Sequence, residues 1–382
     1  MADAEYVFTV GDTSSGSLLA ELPLSVSSPI NRAINGTGPT WSASLSADDP
    51  GADDSILGVG VSSNRDREIT VWRNGVPVWN GPVVNLAGNL RSRTVTLTMA
   101  EPWLFFTQRV LEWDSSNLWS AVSAVDLFDI IRALFIYATT KDSTGTTSGG
   151  TSINAAIPRF AVSPAAGTLA GVTKLLYYAG TDRRIIADII TDLVKDPTTG
   201  LDFRCDYSLV SGALQRTLTL GSPSLGAGLV GGTITEDDLY DFDKVEDLMR
   251  SATRAHATGG FDMDTEQNTG SVAAGDILRE GVFPVPDSSY SLTQIQQFAK
   301  DARRRSQPPV TSYVLTYVPT VGGIDFDTYN LGDKANLGIT GPSILHSEGH
   351  VRVAQIGFLP PSAASEELVT LTAEISLDSL GT

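Results

Sequence analysis

The stretch ITVWRNGVPVWNG, residues 69–81, sets two tryptophans around an Asn-Gly pair. Asn74 and Gly75 both tolerate positive φ, as a two-residue turn between right-twisted strands requires. The sequence therefore predicts a β-hairpin pairing Arg73 with Val76, Trp72 with Pro77 and Val71 with Val78. That register puts Trp72 and Trp79 diagonally on one face. Pro77 lacks an N–H, so strand 76–80 is expected at a sheet edge, or paired only beyond Pro77. Open edges attract other chains, and the hairpin is poised to be covered by a second domain or by a neighbouring subunit.

Outward from the hairpin, short alternating runs divided by Gly, Pro, Asn and Asp extend from Glu5 to about Thr107: EYVFTV, TWSASLSA, ILGVGVSS and RTVTLTMA read as strands. From about 108 to 200 the period becomes helical. Leu127, Ile130, Ile131, Leu134 and Phe135 recur at three- and four-residue spacing, as do Ile185, Ile186, Ile189, Ile190 and Leu193, with Thr181 or Asp182 as the expected cap of the second helix. Between them KDSTGTTSGGTSINAAIP (141–158) is polar and of low complexity, which predicts a flexible excursion. Strand-like LDFRCDYSLV and RTLTLG complete an α+β insert. MRSATRAHATGGF reads as a strand. LTQIQQFAKDARRR reads as a helix, with Ser291 and Gln294 forming a capping box and cations at its C-terminal end. Alternation returns after Pro308-Pro309, in SYVLTYV, HVRVAQIGF and ELVTLTAEI.

Composition narrows the classes. The 382 residues suffice for two to three domains at roughly 150 each. With 26 Lys+Arg against 44 Asp+Glu, the net charge of −18 argues against a grip on duplex DNA, which needs a cationic face. The single Cys205 excludes an intrachain disulfide framework, and with three histidines no Cys/His zinc spacing can be written. MADAEYVFTV lacks the basic and apolar regions of a signal peptide, so no secretory route is expected from that end. The most apolar window, 118–138, is interrupted by Asp126, Asp129 and Arg132, each costing on the order of 3 kcal/mol at a bilayer centre, and reads as a buried helix.

The two β-rich ends echo each other. GPVVNLAG (81–88) parallels GHVRVAQIGF (349–358), RTVTLTMAE (93–101) parallels ELVTLTAEI (367–375), and Asp66 in SNRDREITV sits like Asp333 in NLGDKANLGI. The separations are 356 − 86 = 270, 369 − 95 = 274 and 333 − 66 = 267. Matches as short as Val-Thr-Leu-Thr also arise by chance among strands, so duplication and coincidence both stand at this point. If the duplication is real, a three-subunit ring presents six similar positions, and a threefold object can dock on a sixfold one.

INRAINGTGPTWSASL (30–45), VWRNGVPVWNGPVV (71–84), LGDKANLGI (331–339) and EGHVRVAQIGF (348–358) together resemble the minor tail proteins that form the tail-tip or baseplate hub of long-tailed phages, especially siphophages of actinobacteria. The resemblance covers most of the chain and carries no reactive side chain. It implies an α+β, β-dominated fold with two tail-tube-like β-barrel domains. The first barrel would span 1–108, an α+β insert 109–232, the discontinuous second barrel 233–262 and 309–382, and a small insert with one helix 263–308. It implies a homotrimeric structural virion protein at the tail tip, continuing the hollow tube. The expected partners are the distal tail protein ring, the tape-measure protein and downstream tip or fibre proteins, with the host envelope contacted indirectly. Phage DNA would pass through the lumen without specific binding, and an acidic lumen would repel its phosphates.

Asp262, Asp264 and Glu266 alternate like the start of a calcium loop, but Gln267 holds the turn position and Ala273 the twelfth, where Gly and Glu are wanted, so a solvated acidic segment is the better reading. No G-x-S-x-G, H-E-x-x-H or P-loop pattern occurs, and His256, His346 and His350 have no adjacent nucleophile pattern. Neither an enzyme nor a cofactor or metal site is expected. Trp72 and Trp79 read either as a sugar-stacking surface or as apolar area packed beneath another domain. The second is preferred, because Trp103 followed by Phe105 and Phe106 gives enough apolar mass for a junction; Trp41, Trp113 and Trp119 join the same inventory. Arg303, Arg304 and Arg305 read as a helix end and interface rim. The interface and packing residues expected are thus Trp72, Pro77, Trp79, Trp103 and Asp333. The alternatives to a structural hub are a carbohydrate-binding receptor protein built on Trp72 and Trp79 and, behind it, a cell-wall hydrolase.

Overall fold

The structure is a computed structural model that describes residues 4–13, 16–36, 38–57, 67–112, 114, 115–120, 122–140, 159–163, 173–194, 201–221, 225–226, 228–247, 251–259, 262–267, 278–285, 291–306, 310–319, 323–362 and 365–375. It is β-dominated, with helices confined mainly to two inserts. The excursion 141–158, Asp66 and Trp113 lie outside the described residues.

The N-terminal strands are β1 (Tyr6–Asp12), β2 (Leu18–Glu21), β3 (Ser25–Val26), β4 (Ile30–Ala33), β5 (Trp41–Ser46), β6 (Arg67–Arg73), β7 (Val76–Asn89) and β8 (Thr94–Met99). All but β4 form one sheet, in the order β2-β1-β6-β7-β8-β5-β3. The run expected as the strand ILGVGVSS begins instead with a helical turn, Asp54–Leu57, whose Leu57 side is buried in the core. The insert contributes β9 (Val125–Asp126), β10 (Phe160–Ser163), β11 (Thr173–Lys174), β12 (Asp202–Val210) and β13 (Ala213–Gly221), with helices Leu127–Thr140 and Ile186–Val194. Its core gathers the isoleucine and leucine stripes of both helices with Phe106, Phe135, Phe203, Leu218 and Leu220, so periodicity placed these faces correctly. The cap of the second helix differs: Gly180–Asp182 form a separate 3-10 turn that ends at Arg183 with φ 50°.

The C-terminal strands are β14 (Leu229–Ile234), β15 (Asp241–Asp247), β16 (Arg254–Gly259), β17 (Asp262–Gln267), β18 (Glu280–Pro284), β19 (Val310–Tyr317), β20 (Lys334–Ile339), β21 (Ser347–Leu359) and β22 (Leu368–Ile375). Strands β17-β16-β18 and the helix Leu292–Arg305 make the small insert, in which the Ser291/Gln294 capping box is present. Its core is Ala255, Ala257, Ile295, Phe298 and Ala299. The remaining strands form a sheet ordered β14-β20-β21-β22-β19-β15, with β4 paired to β21.

The two large sheets share one plan. Omitting β1, the orders match strand for strand: β2 with β14, β6 with β20, β7 with β21, β8 with β22, β5 with β19, and β3 with β15. Directions agree as well. β2 and β6 are each antiparallel to β1 and hence parallel to each other, and β14 is parallel to β20. Registers agree residue by residue along the long hairpin. Val83 faces Met99 as Val353 faces Ala373, separations of 353 − 83 = 270 and 373 − 99 = 274, and the same separations hold down to Asn89 with Thr94 and Leu359 with Leu368. Coincidence does not reproduce an order, a set of directions and a register together.

The echo slips by one residue at its N-terminal end. Ile69 faces Gly81 as Ala335 faces Val351, a separation of 335 − 69 = 266, which makes Arg67 the counterpart of Asp333. Neither sheet closes into a barrel through hydrogen bonds among the described residues. Each nevertheless has consecutive chain segments as its two edges. β2 and β3 are separated only by Leu22–Leu24, which holds those edges within about 15 Å of each other, and β14 and β15 are separated by residues 235–240. The inner faces of both sheets merge into one core that contains Trp41, Ile69, Trp79 and Leu97 from the first and Leu315, Tyr317, Val353 and Phe358 from the second.

Candidate interaction surface

The hairpin turn forms as its residues dictate, with φ 51° at Asn74 and 78° at Gly75, and Arg73 faces Val76 and Trp72 faces Pro77. Beyond these pairs a bulge intervenes, and Val71 faces Trp79 in place of Val78. One extra residue turns every later side chain to the other face. Trp79 therefore points into the core while Trp72 points away from it, which corrects the single-face arrangement. The indole of Trp79 is fully buried and meets Trp41 edge to face at 5.1 Å, its Nε1 donating to the Asn31 carbonyl at 3.2 Å. Half-buried Trp72 donates to Thr9 Oγ1 at 2.8 Å. Pro77 is buried opposite it, and Val76–Pro82 pairs with β6 while β7 meets β8 only from Val83 onward.

Trp103 lies where the first sheet passes into the insert, 4.6 Å from the ring of Phe203 and 5.3 Å from Phe106. Gly36, at φ 66°, gives it room, since a Cβ there would fall 2.2 Å from the indole. Asp333 is buried, its carboxylate accepting from the Asn330 amide at 2.8 Å and its carbonyl from the Val353 amide at 2.9 Å. It fixes the turn that enters β20. Trp119 donates to the Leu176 carbonyl within the insert at 2.9 Å.

Polar contacts that no local pattern announced hold the pieces together. Glu68 of β6, almost without exposure, is gripped by Arg216 of β13 and, at 2.7 Å, by Arg159. Arg216 also donates to Asn80 Oδ1 at 2.7 Å, and Asn80 donates to Thr70 Oγ1 at 2.9 Å. Both Glu68 carboxylate oxygens and the Asn80 side chain thus have partners in this junction, the condition under which buried charge is tolerated. Arg73 clamps Glu367 with two bonds of 2.7 and 2.9 Å, tying the hairpin to the segment before β22, and its guanidinium lies 4.2 Å from the Phe326 ring. Arg352 pairs with Asp202, which also accepts from Asn35 at 2.9 Å. The only sequence signal for these pairs was charged residues standing inside alternating runs.

β4 leaves the first sheet and adds to the second. Ile30, Asn31, Arg32 and Ala33 face Phe358, Gly357, Ile356 and Gln355. Gly357 makes the approach possible, since a Cβ there would fall 2.6 Å from Asn31 Oδ1. At its far end the Ala33 amide donates to the buried Glu101 carboxylate at 3.3 Å. Burial pushes the Glu101 carboxyl up to about 7, against the opposing pull of Arg32 and the backbone donors.

Asp262, Asp264 and Glu266, whose spacing imitates the start of a calcium loop, lie along β17, paired in register with β16, and an extended strand does not wrap a cation. Among the described residues no group of three His, Cys, Asp or Glu side chains could hold a metal ion. His256 bonds Thr265 Oγ1 at 3.0 Å and Glu280 at 3.1 Å across this small sheet.

Two sheets of one plan on a common core, with a helical insert after each sheet's first or last strands, can be compared as a whole with known structures. The 43 kDa tail protein of prophage MuSo2 from Shewanella oneidensis superposes with a TM-score of 0.59 at 10% identity, covering 99% of this chain and 98% of that one. The chain has the fold of phage tail proteins. A tail protein from Neisseria meningitidis MC58 gives 0.53 at 12% identity over 97% and 96% of the two chains. Prophage tail protein gp18 from Listeria monocytogenes EGD-e gives 0.52 at 11% over 98% and 97%. No family model matches the sequence, and no curated protein matches it. At these identities the likeness is one of fold, spanning nearly the full length of each partner.

Proposed function

We propose that this chain is a structural, non-enzymatic virion protein that forms a homotrimeric hub at the tail tip of a siphophage. The observation that carries the reading is the doubled sheet: one strand order, with matching directions and hairpin register, occurs twice in a chain whose fold is that of prophage tail proteins. In a threefold ring the two sheets of each chain supply six similar positions around a channel, which is what a sixfold tube needs of the object at its end. Each sheet would act as a tube-like barrel wall, since its two edges are consecutive chain segments.

On this reading the hub joins the distal tail protein ring above to tip or fibre proteins below, accommodates the tape-measure protein, and takes part in host attachment and DNA delivery. The net charge of −18 per chain, tripled in the ring, disfavours retention of passing phosphates. Trp72, Pro77, Trp79, Trp103 and Asp333 then serve packing and junctions. The competing sugar platform has no geometric support, because Trp79 is buried against Trp41 and does not share a face with Trp72. Light scattering on the chain co-expressed with its neighbouring tail proteins tests the proposal: a ring contains three copies of the 40.4 kDa chain, whereas one copy per complex refutes it.

A further inference from the structure

The doubled plan makes one difference between the halves informative. In the second half, the outer edge of Gln355–Phe358 is taken by β4, a strand that comes from the first half. The equivalent edge in the first half, by the separation of 270, is Asn85–Gly88. These residues pair with β8 on one side, as their counterparts pair with β22, and among the described residues no strand pairs with their other side. Their exposure follows: Asn85, Ala87 and Gly88 are exposed, and a Cβ placed on Gly88 would meet nothing within 4 Å, whereas its counterpart Phe358 is 1% exposed. Ala87 stands at the place of Gly357 and adds one methyl to the edge, so a strand docking here needs a side chain opposite it that clears a Cβ, as Asn31 opposite Gly357 would not.

We infer that the edge Asn85–Gly88 is the docking site for a strand from the second half of a neighbouring copy of this chain. The inference rests on the ring reading above. In a ring that alternates first and second sheets, the step within a chain hands a strand from the first half to the second sheet. Each step between chains must then hand one from a second half to a first sheet, and the vacant acceptor is this edge. Strand addition of this kind takes its affinity from main-chain hydrogen bonds that an open edge leaves unmade. The only charges between Val83 and Met99, Arg91 and Arg93, are positive, and Arg93 is paired with Asp48. Residues 235–247 of the second half hold seven acids and one lysine.

The test places a short maleimide-diazirine label on Ala87→Cys in a Cys205→Ser background, within full-length chain assembled with its tail partners. On irradiation the inference predicts a covalent dimer whose joined peptides are residue 87 of one copy and a segment between Leu229 and Ile375 of another. The same label at Gln355→Cys, where the edge is already filled, should give adducts within one chain. Adducts from position 87 to a different protein or only to its own chain, or none at all, in particles that still contain three copies, would overturn the docking site and leave the ring standing. Particles with one copy would overturn both.

Discussion

Val84 and Ala354, 354 − 84 = 270 positions apart, are each the unpaired residue of a β-bulge at the same point of the same long hairpin. A bulge bends its strand and raises its twist, so the shared position bends both hairpins at the same point, as the proposed tube-wall role requires. The paired halves of the chain differ in what covers them and in the charged contacts that fasten them, and those contacts support specific expectations.

Removing Arg216 strands Glu68 in a dry junction. Arg216→Ala should destabilise the protein by about 3–5 kcal/mol in urea unfolding, with Arg159 retaining part of the carboxylate's partners. Adding Glu68→Gln should recover part of that loss, because the uncompensated charge is what costs most. Equal losses in the single and double variants would show that the junction depends on shape and not on charge.

The two hairpin tryptophans should separate cleanly. Trp79→Ala empties a buried site against Trp41 and should cost about 3–5 kcal/mol. Trp72→Ala removes a half-buried ring and one hydrogen bond to Thr9, a loss of about 1–2 kcal/mol. Equal and small costs, with loss of glycan binding, would instead support a sugar-stacking surface.

Glu101 should make stability depend on pH. Its carboxyl is raised from 4.5 to about 7 by burial, so the folded state holds a proton that the unfolded state has already released. Stability should therefore be highest below about pH 4.5 as far as this group is concerned, fall as pH rises to about 7, and level off above it. The total is on the order of 3 kcal/mol. Glu101→Gln keeps an acceptor for the Ala33 amide and should flatten that slope in thermal melts between pH 5 and 8. A variant with an unchanged slope would assign the pH dependence to other groups.

Matched substitutions on the two hairpin edges should differ in the isolated chain. Gly357→Val drives a side chain into Asn31 and should cost about 1–3 kcal/mol by displacing β4. Ala87→Val, on the exposed equivalent, should change stability by no more than about 0.5 kcal/mol. A large loss at Ala87 would mean that edge is already covered within the chain.

Much of this was legible in the residues, because local rules govern it. The Asn74-Gly75 turn, the helix stripes and the Ser291/Gln294 box all depend on neighbours in sequence. What escaped is non-local. The bulge at Val78 follows from seating Trp79 against Trp41, which are 38 positions apart, and it reversed the expected faces of the two tryptophans. Strand β4 pairs more than 300 positions downstream, and only Gly357 hinted at the close approach. Glu68 and Arg216 carry no spacing signal at all. Nor did the alternation in ILGVGVSS reveal that its first residues close a helical turn.

The central claim, that two sheets of one plan make this chain a threefold object with six alike walls, is tested most directly by a cryo-electron microscopy reconstruction of the intact tail tip. The account predicts three copies around the tail axis, with the sheets holding Trp79 and Phe358 alternating around an open or plugged channel. A single copy, or copies hung on the outside of the tube with neither sheet facing the axis, would contradict it.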